Sequence, residues 1–96
     1  MNYDALSFVT RSKYRTKVLR QLHKRPQTPK EVTQALGYDD MSHFTRAIQQ
    51  LREENLVELL VDEDVQKGRY YGLTDAGEEI VGELEERRAE RGESPA

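Results

Sequence analysis

The residues able to do chemistry in this sequence are few, and their types do not describe a catalyst. Cysteine is absent, which removes thiolate nucleophiles, thiolate metal ligands, disulfides and thiol redox sensing together. The only imidazoles are His23 and His43, and no pair of ligands stands at metal-binding spacing. There is no nucleophile with a nearby base and no glycine-rich phosphate loop. An enzyme is therefore not expected, and neither is a metal or a cofactor. What stands out is a polar helical face. Ser42, His43, Arg46, Gln49 and Gln50 spread over the side opposite Met41, Phe44, Ile48 and Leu51, which recur at steps of three, four and three.

Charge gives a second indication. The net charge is −3, yet residues 1–35 hold eight basic side chains against Asp4 and Glu31, whereas residues 74–96 hold eight acidic ones against Arg87, Arg88 and Arg91. A chain polarised in this way can offer a basic face to phosphates while staying acidic overall. Solvated helix faces also carry charge runs, and 34% of all residues are charged.

These side chains need elements to hold them. Ninety-six residues suit one domain, expected over residues 1–91 with a disordered tail at 92–96. A first helix is expected over residues 12–24, with a backward extension over 3–10. Tyr14, Val18, Leu19 and Leu22 gather on its inner side, and Arg15 falls in that stripe, which suggests a partly buried ion pair with a carboxylate. Arg25-Pro26 ends the helix, because proline disfavours helical geometry in the residue before it. The segment TPKEVTQALG reads as a short helix with a Thr28/Glu31 capping box, Pro29 in its first turn and Gly37 at its end. Asp39 or Asp40 then caps a longer helix, MSHFTRAIQQLREEN. Two helices joined by a tight glycine-containing turn make a helix-turn-helix.

The period then changes. Residues 56–61 and 68–73 are rich in β-favouring side chains, and the polar DEDVQKG stretch between them makes the pair a hairpin. Tyr70 and Tyr71 alternate across a strand, so at least one belongs to the core. Thr74 caps a last helix with a narrow stripe of Ile80, Val81 and Leu84. The fold class is α+β, mostly helical, with a three-helix core, a β-hairpin and a C-terminal helix.

That order resembles the winged helix-turn-helix. TPKEVTQALGYDDMSHFTRAIQQLREENLVE is similar to the helix-turn-helix of MarR-like and related archaeal and bacterial transcriptional regulators. KGRYYGLTDAGEEI, an aromatic strand running into Leu-Thr-x-x-Gly, is similar to their second wing strand and following helix. Two features depart from the pattern: Thr33 replaces the usual alanine, and the wing carries Asp62, Glu63 and Asp64 where many relatives are basic. GYDDMSHFTRAI also resembles an AraC-type helix-turn-helix, but that family continues with helix where this chain continues with a hairpin.

The resemblance implies double-stranded DNA as the partner and a major-groove helix around residues 41–54. Ser42, His43, Arg46, Gln49 and Gln50 would face the bases, while Thr28, Lys30, Thr45, Lys67 and Arg69 would face the phosphate backbone. A docking module for a basic protein is the alternative on the same fold. A homodimer is expected, held by Ile80, Val81 and Leu84 together with Leu6, Phe8 and Val9. No small-molecule ligand is indicated. Without an apolar run near the roughly 18 residues of a membrane span, a cytoplasmic protein is expected.

Overall fold

Ser12 sets the first corner of the chain. In the computed structural model, which describes residues 2–90, Ser12 is extended (φ −134, ψ 122) and its side chain accepts from Arg15 N–H. The expected backward extension therefore forms as a helix of its own, α1 (Tyr3–Thr10), followed by α2 (Lys13–Lys24). Thr16 Oγ1 donates to the Val9 carbonyl at 3.2 Å and pins the corner.

Arg15 sits in the apolar stripe as read, but its expected carboxylate partner is replaced by neutral groups. Its Nε donates to Gln50 Oε1 at 3.0 Å, a terminal nitrogen donates to the Phe8 carbonyl at 2.7 Å, and the guanidinium lies 3.8 Å from the Phe8 ring centroid. The α1–α2 corner brings that carbonyl within reach, so no carboxylate is needed. Arg15→Ala is expected to lower stability by about 1–2 kcal/mol, from lost charge-assisted bonds and ring contact. Denaturant titration checks this, and an unchanged midpoint would show that the contacts contribute nothing.

The helix-turn-helix consists of α3 (Pro29–Ala35) and α4 (Ser42–Glu53). Both bonds of the Thr28/Glu31 capping box are present. Each helix ends in the same way. Gly37 (φ 80) lets Tyr38 N–H reach back to the Thr33 carbonyl, and Asn55 (φ 61) lets Leu56 N–H reach the Leu51 carbonyl. Thr33 is tolerated in the interior because its hydroxyl donates to the Pro29 carbonyl at 2.8 Å.

The wing strands are shorter than the sequence suggests. They are β1 (Val57–Leu59) and β2 (Tyr71–Leu73), antiparallel with Val57 opposite Leu73 and Leu59 opposite Tyr71. One further bond, from Leu60 N–H to the Tyr70 carbonyl, closes the ladder. Beyond it the polar stretch has little apolar area to bury, so pairing is not rewarded. Tyr71 is the core tyrosine and Tyr70 the exposed one. Gln27 adds an unexpected rung: its backbone N–H and carbonyl both bond Tyr71, tying the α2–α3 link to the wing.

The Leu-Thr-x-x-Gly segment opens α5 (Asp75–Glu90). Thr74 Oγ1 donates to the Asn55 carbonyl at 2.7 Å and accepts from Gly77 N–H at 3.0 Å, while Thr74 N–H bonds the Leu56 carbonyl. Gly77 lies against that same carbonyl. The segment thereby fixes α5 to the turn after α4. All four helices besides α3, together with Val32, close one core, in which Leu6, Val9, Ile80, Val81 and Leu84 are buried and Phe8 packs at the margin. The surface expected to hold a second copy is thus largely spent within one chain, because α1 and α5 both pack against α2 and bury these side chains in the common core. The tail expected at 92–96 lies outside the described residues.

Candidate nucleic-acid interface

Because α4 buries Phe44, Ala47, Ile48 and Leu51, the helical period turns Ser42, Thr45, Arg46 and Gln49 outward. Two adjoining open grooves run along this face. One, of about 650 Å³, is bordered by Asp39, Asp40, Met41, Ser42, Thr45, Arg46 and Gln49. The other, of about 710 Å³, lies between the start of α3, the outer side of α4 and the wing, and Thr28, Lys30, Thr45, Gln49, Lys67 and Arg69 all border it. Eight of the ten residues singled out in the sequence therefore share one surface.

The remaining two point elsewhere. His43 stacks on Tyr14 of α2, with ring centroids 4.5 Å apart and planes within 2°, so it flanks α4 and borders neither groove. Gln50 is engaged by Arg15 and serves the α1–α2–α4 junction. Met41 was expected inside. It is 44% exposed and borders both grooves, because α4 starts at Ser42 and the inward period does not extend back through the residue before it. Gln66 also borders the second groove, and only its position in the wing loop could have drawn attention to it.

The start of α4 is organised by Asp40. Its Oδ1 accepts from Ser42 N–H at 2.9 Å and from Ser42 Oγ at 2.6 Å, and these bonds hold its carboxyl below the usual carboxylate range. Ser42 has therefore committed its hydroxyl proton, and its oxygen remains as an acceptor. On the flank, Lys17 Nζ donates to Tyr38 Oη at 2.7 Å and lowers the phenol, beside an edge-on cluster of Tyr14, Tyr38 and Phe44. Thr28 Oγ1 accepts from Glu31 N–H, which leaves its own proton to donate into the groove. Gln49 Nε2 stands 3.5 Å from Tyr71 Oη, at the limit of a hydrogen bond. In the wing, Arg69 is paired with Glu63.

Among the described residues no group of three or more His, Asp or Glu side chains could hold a metal ion, and no helix is long and apolar enough to cross a membrane. The sequence matches no protein-family model and no curated protein. Solved structures do match. The adhesin competence repressor of Streptococcus pyogenes superposes with a TM-score of 0.71 at 20% identity, over 83% of this chain and 59% of that one. The reduced form of the transcriptional regulator YodB from B. subtilis gives 0.75 at 17% identity, over 90% and 84%. A MarR family regulator from Neisseria meningitidis gives 0.69 at 19% identity, over 82% and 56%. The chain has the winged-helix fold of MarR family regulators, and it spans about three fifths of the length of the first of these structures.

Proposed function

We propose that this chain binds double-stranded DNA sequence-specifically as a small transcriptional regulator, with α4 in the major groove. One observation carries the reading: Ser42, Thr45, Arg46 and Gln49 of α4 share a surface with Thr28 and Lys30 at the start of α3 and Lys67 of the wing. Such a surface combines base-edge chemistry with flanking phosphate contacts. Arg46 suits guanine, Gln49 suits adenine, and Ser42, its proton given to Asp40, suits an amino group on a base edge. Lys30, Lys67 and the hydroxyls of Thr28 and Thr45 are assigned to phosphates, and His43 to the flank. The structures that match the fold are named as regulators, which agrees with this assignment. The same reading places the protein in the compartment that holds the DNA, the cytoplasm of a bacterium or archaeon. Two copies would read half-sites about one helical turn apart, using surfaces other than the buried Leu6, Val9, Ile80, Val81 and Leu84.

Selection of bound duplexes from a random pool, repeated at several salt concentrations, is the direct test. Binding should weaken steeply with salt, because each neutralised phosphate releases counterions. On the selected duplex, Arg46→Ala should cost roughly 1–3 kcal/mol and relax the preference at one base position. Uniform weakening on every sequence would move Arg46 to the phosphate backbone, and salt-insensitive or absent binding would reject DNA as the partner.

A further inference from the structure

One charge cluster beside this surface is not explained by the fold. Arg52, three residues beyond Gln49 on α4, and Arg69, just before β2, both reach Glu63 in the wing loop. A terminal nitrogen of Arg52 bonds Glu63 Oε1, and one of Arg69 bonds Oε2 at 3.2 Å. One carboxylate thus serves two guanidinium groups, and the trio keeps one uncompensated positive charge. Its members are unequally seated: the Glu63 side chain is 70% exposed, those of Arg52 and Arg69 only 28% and 27%. The cations are held by the fold, and the anion is the member free to leave. Two guanidinium groups meeting the two oxygens of one anion also match a phosphodiester, which presents two non-bridging oxygens. Arg69 already borders the groove shared by Lys30 and Lys67.

We infer that Arg52 and Arg69 form a phosphodiester site for duplex DNA, which Glu63 occupies in the free chain and yields on binding. The inference rests on the duplex-binding reading. Glu63 acts as an internal competitor that lowers affinity and blunts salt sensitivity. The exchange is feasible because an ion pair with so exposed a member contributes little, while each phosphate bound releases counterions. An acidic wing is then compatible with DNA contact, since its carboxylate covers the cations only while the backbone is absent.

The experiment measures fluorescence anisotropy of a short labelled duplex of mixed sequence across a salt series. It compares the unaltered chain with Glu63→Gln, Arg52→Ala and Asp64→Asn, each first checked for an unchanged thermal midpoint. Glu63→Gln should bind about fivefold tighter at low salt, and the difference should narrow as salt rises, because screening weakens the ion pair that the unaltered chain must open. Arg52→Ala leaves Arg69 paired with Glu63 and should bind more weakly, with a plot of log K against log salt shallower by about 0.9. Asp64→Asn removes the same charge from the same loop outside the trio and should change binding much less. If the unaltered chain binds and Glu63→Gln binds equally or more weakly, Glu63 holds the arginines in place and the masking is overturned. If Asp64→Asn matches Glu63→Gln, the effect is one of overall field and the site is overturned as well. Absence of salt-dependent binding by every protein would instead remove the duplex-binding reading on which the inference stands.

Discussion

Gly77→Ala should destabilise the chain by about 2 kcal/mol or more, a fall of about 8–16 °C in the thermal midpoint of a domain this size. A Cβ at position 77 would sit 2.2 Å from the Leu56 carbonyl oxygen, 3.2 Å from its carbon and 3.3 Å from Leu73 Cβ. That oxygen is backbone and already accepts from Thr74 N–H, so it cannot retreat without breaking the cap of α5. Helix propensity acts the other way, favouring alanine over glycine by about 1 kcal/mol. The steric term should exceed it because nothing flexible is available to move. Gly82 supplies the control, lying in the same helix with nothing within 4 Å of its Cβ position. Gly82→Ala should therefore raise stability by up to about 1 kcal/mol. Opposite signs for one substitution in one helix are the expected signature, and equal shifts at both positions would refute the close approach at Gly77.

Val81→Glu should unfold the chain near physiological temperature. Val81 is 1% exposed and packs in the core, so the change replaces apolar contact with a carboxylate that has no solvent. The expected cost is at least about 3–5 kcal/mol, against a total stability of roughly 5–15 kcal/mol for domains of ordinary size. Circular dichroism combined with sedimentation separates two pictures of this residue. Loss of helical signal together with loss of a cooperative melt fits a core position. A variant that stays helical and sediments with a smaller mass than the unaltered chain would restore Val81 to a dimer interface.

Local features were the legible ones. Thr28, Glu31 and Gly37 act on backbone groups within a few residues, so their roles could be read directly from spacing, and each is present. The Leu-Thr-x-x-Gly segment was recognised as a pattern, but its reason, a glycine against the Leu56 carbonyl, needs the packed chain. Partners far apart in sequence were not legible. Nothing in the residue order pairs Arg15 with Gln50, Gln27 with Tyr71, or Arg52 with Glu63. Such pairings took Gln50 away from the polar face of α4 and put Arg52 beside it. Periodicity also misplaced Met41, since a repeat of apolar residues does not reveal where the helix carrying it begins.

The paired backbone bonds between Gln27 and Tyr71, with the single bond from Leu60 to Tyr70, fix both ends of the wing loop at its root. Chain length beyond that root is then almost free to vary. Once two ends are held together, doubling a loop adds only about 0.6 kcal/mol of closure entropy, less than one core methylene contributes. Relatives of this chain can accordingly carry longer or shorter wings on the same three fixed rungs, altering how far the wing reaches along a partner while α4 keeps its seat.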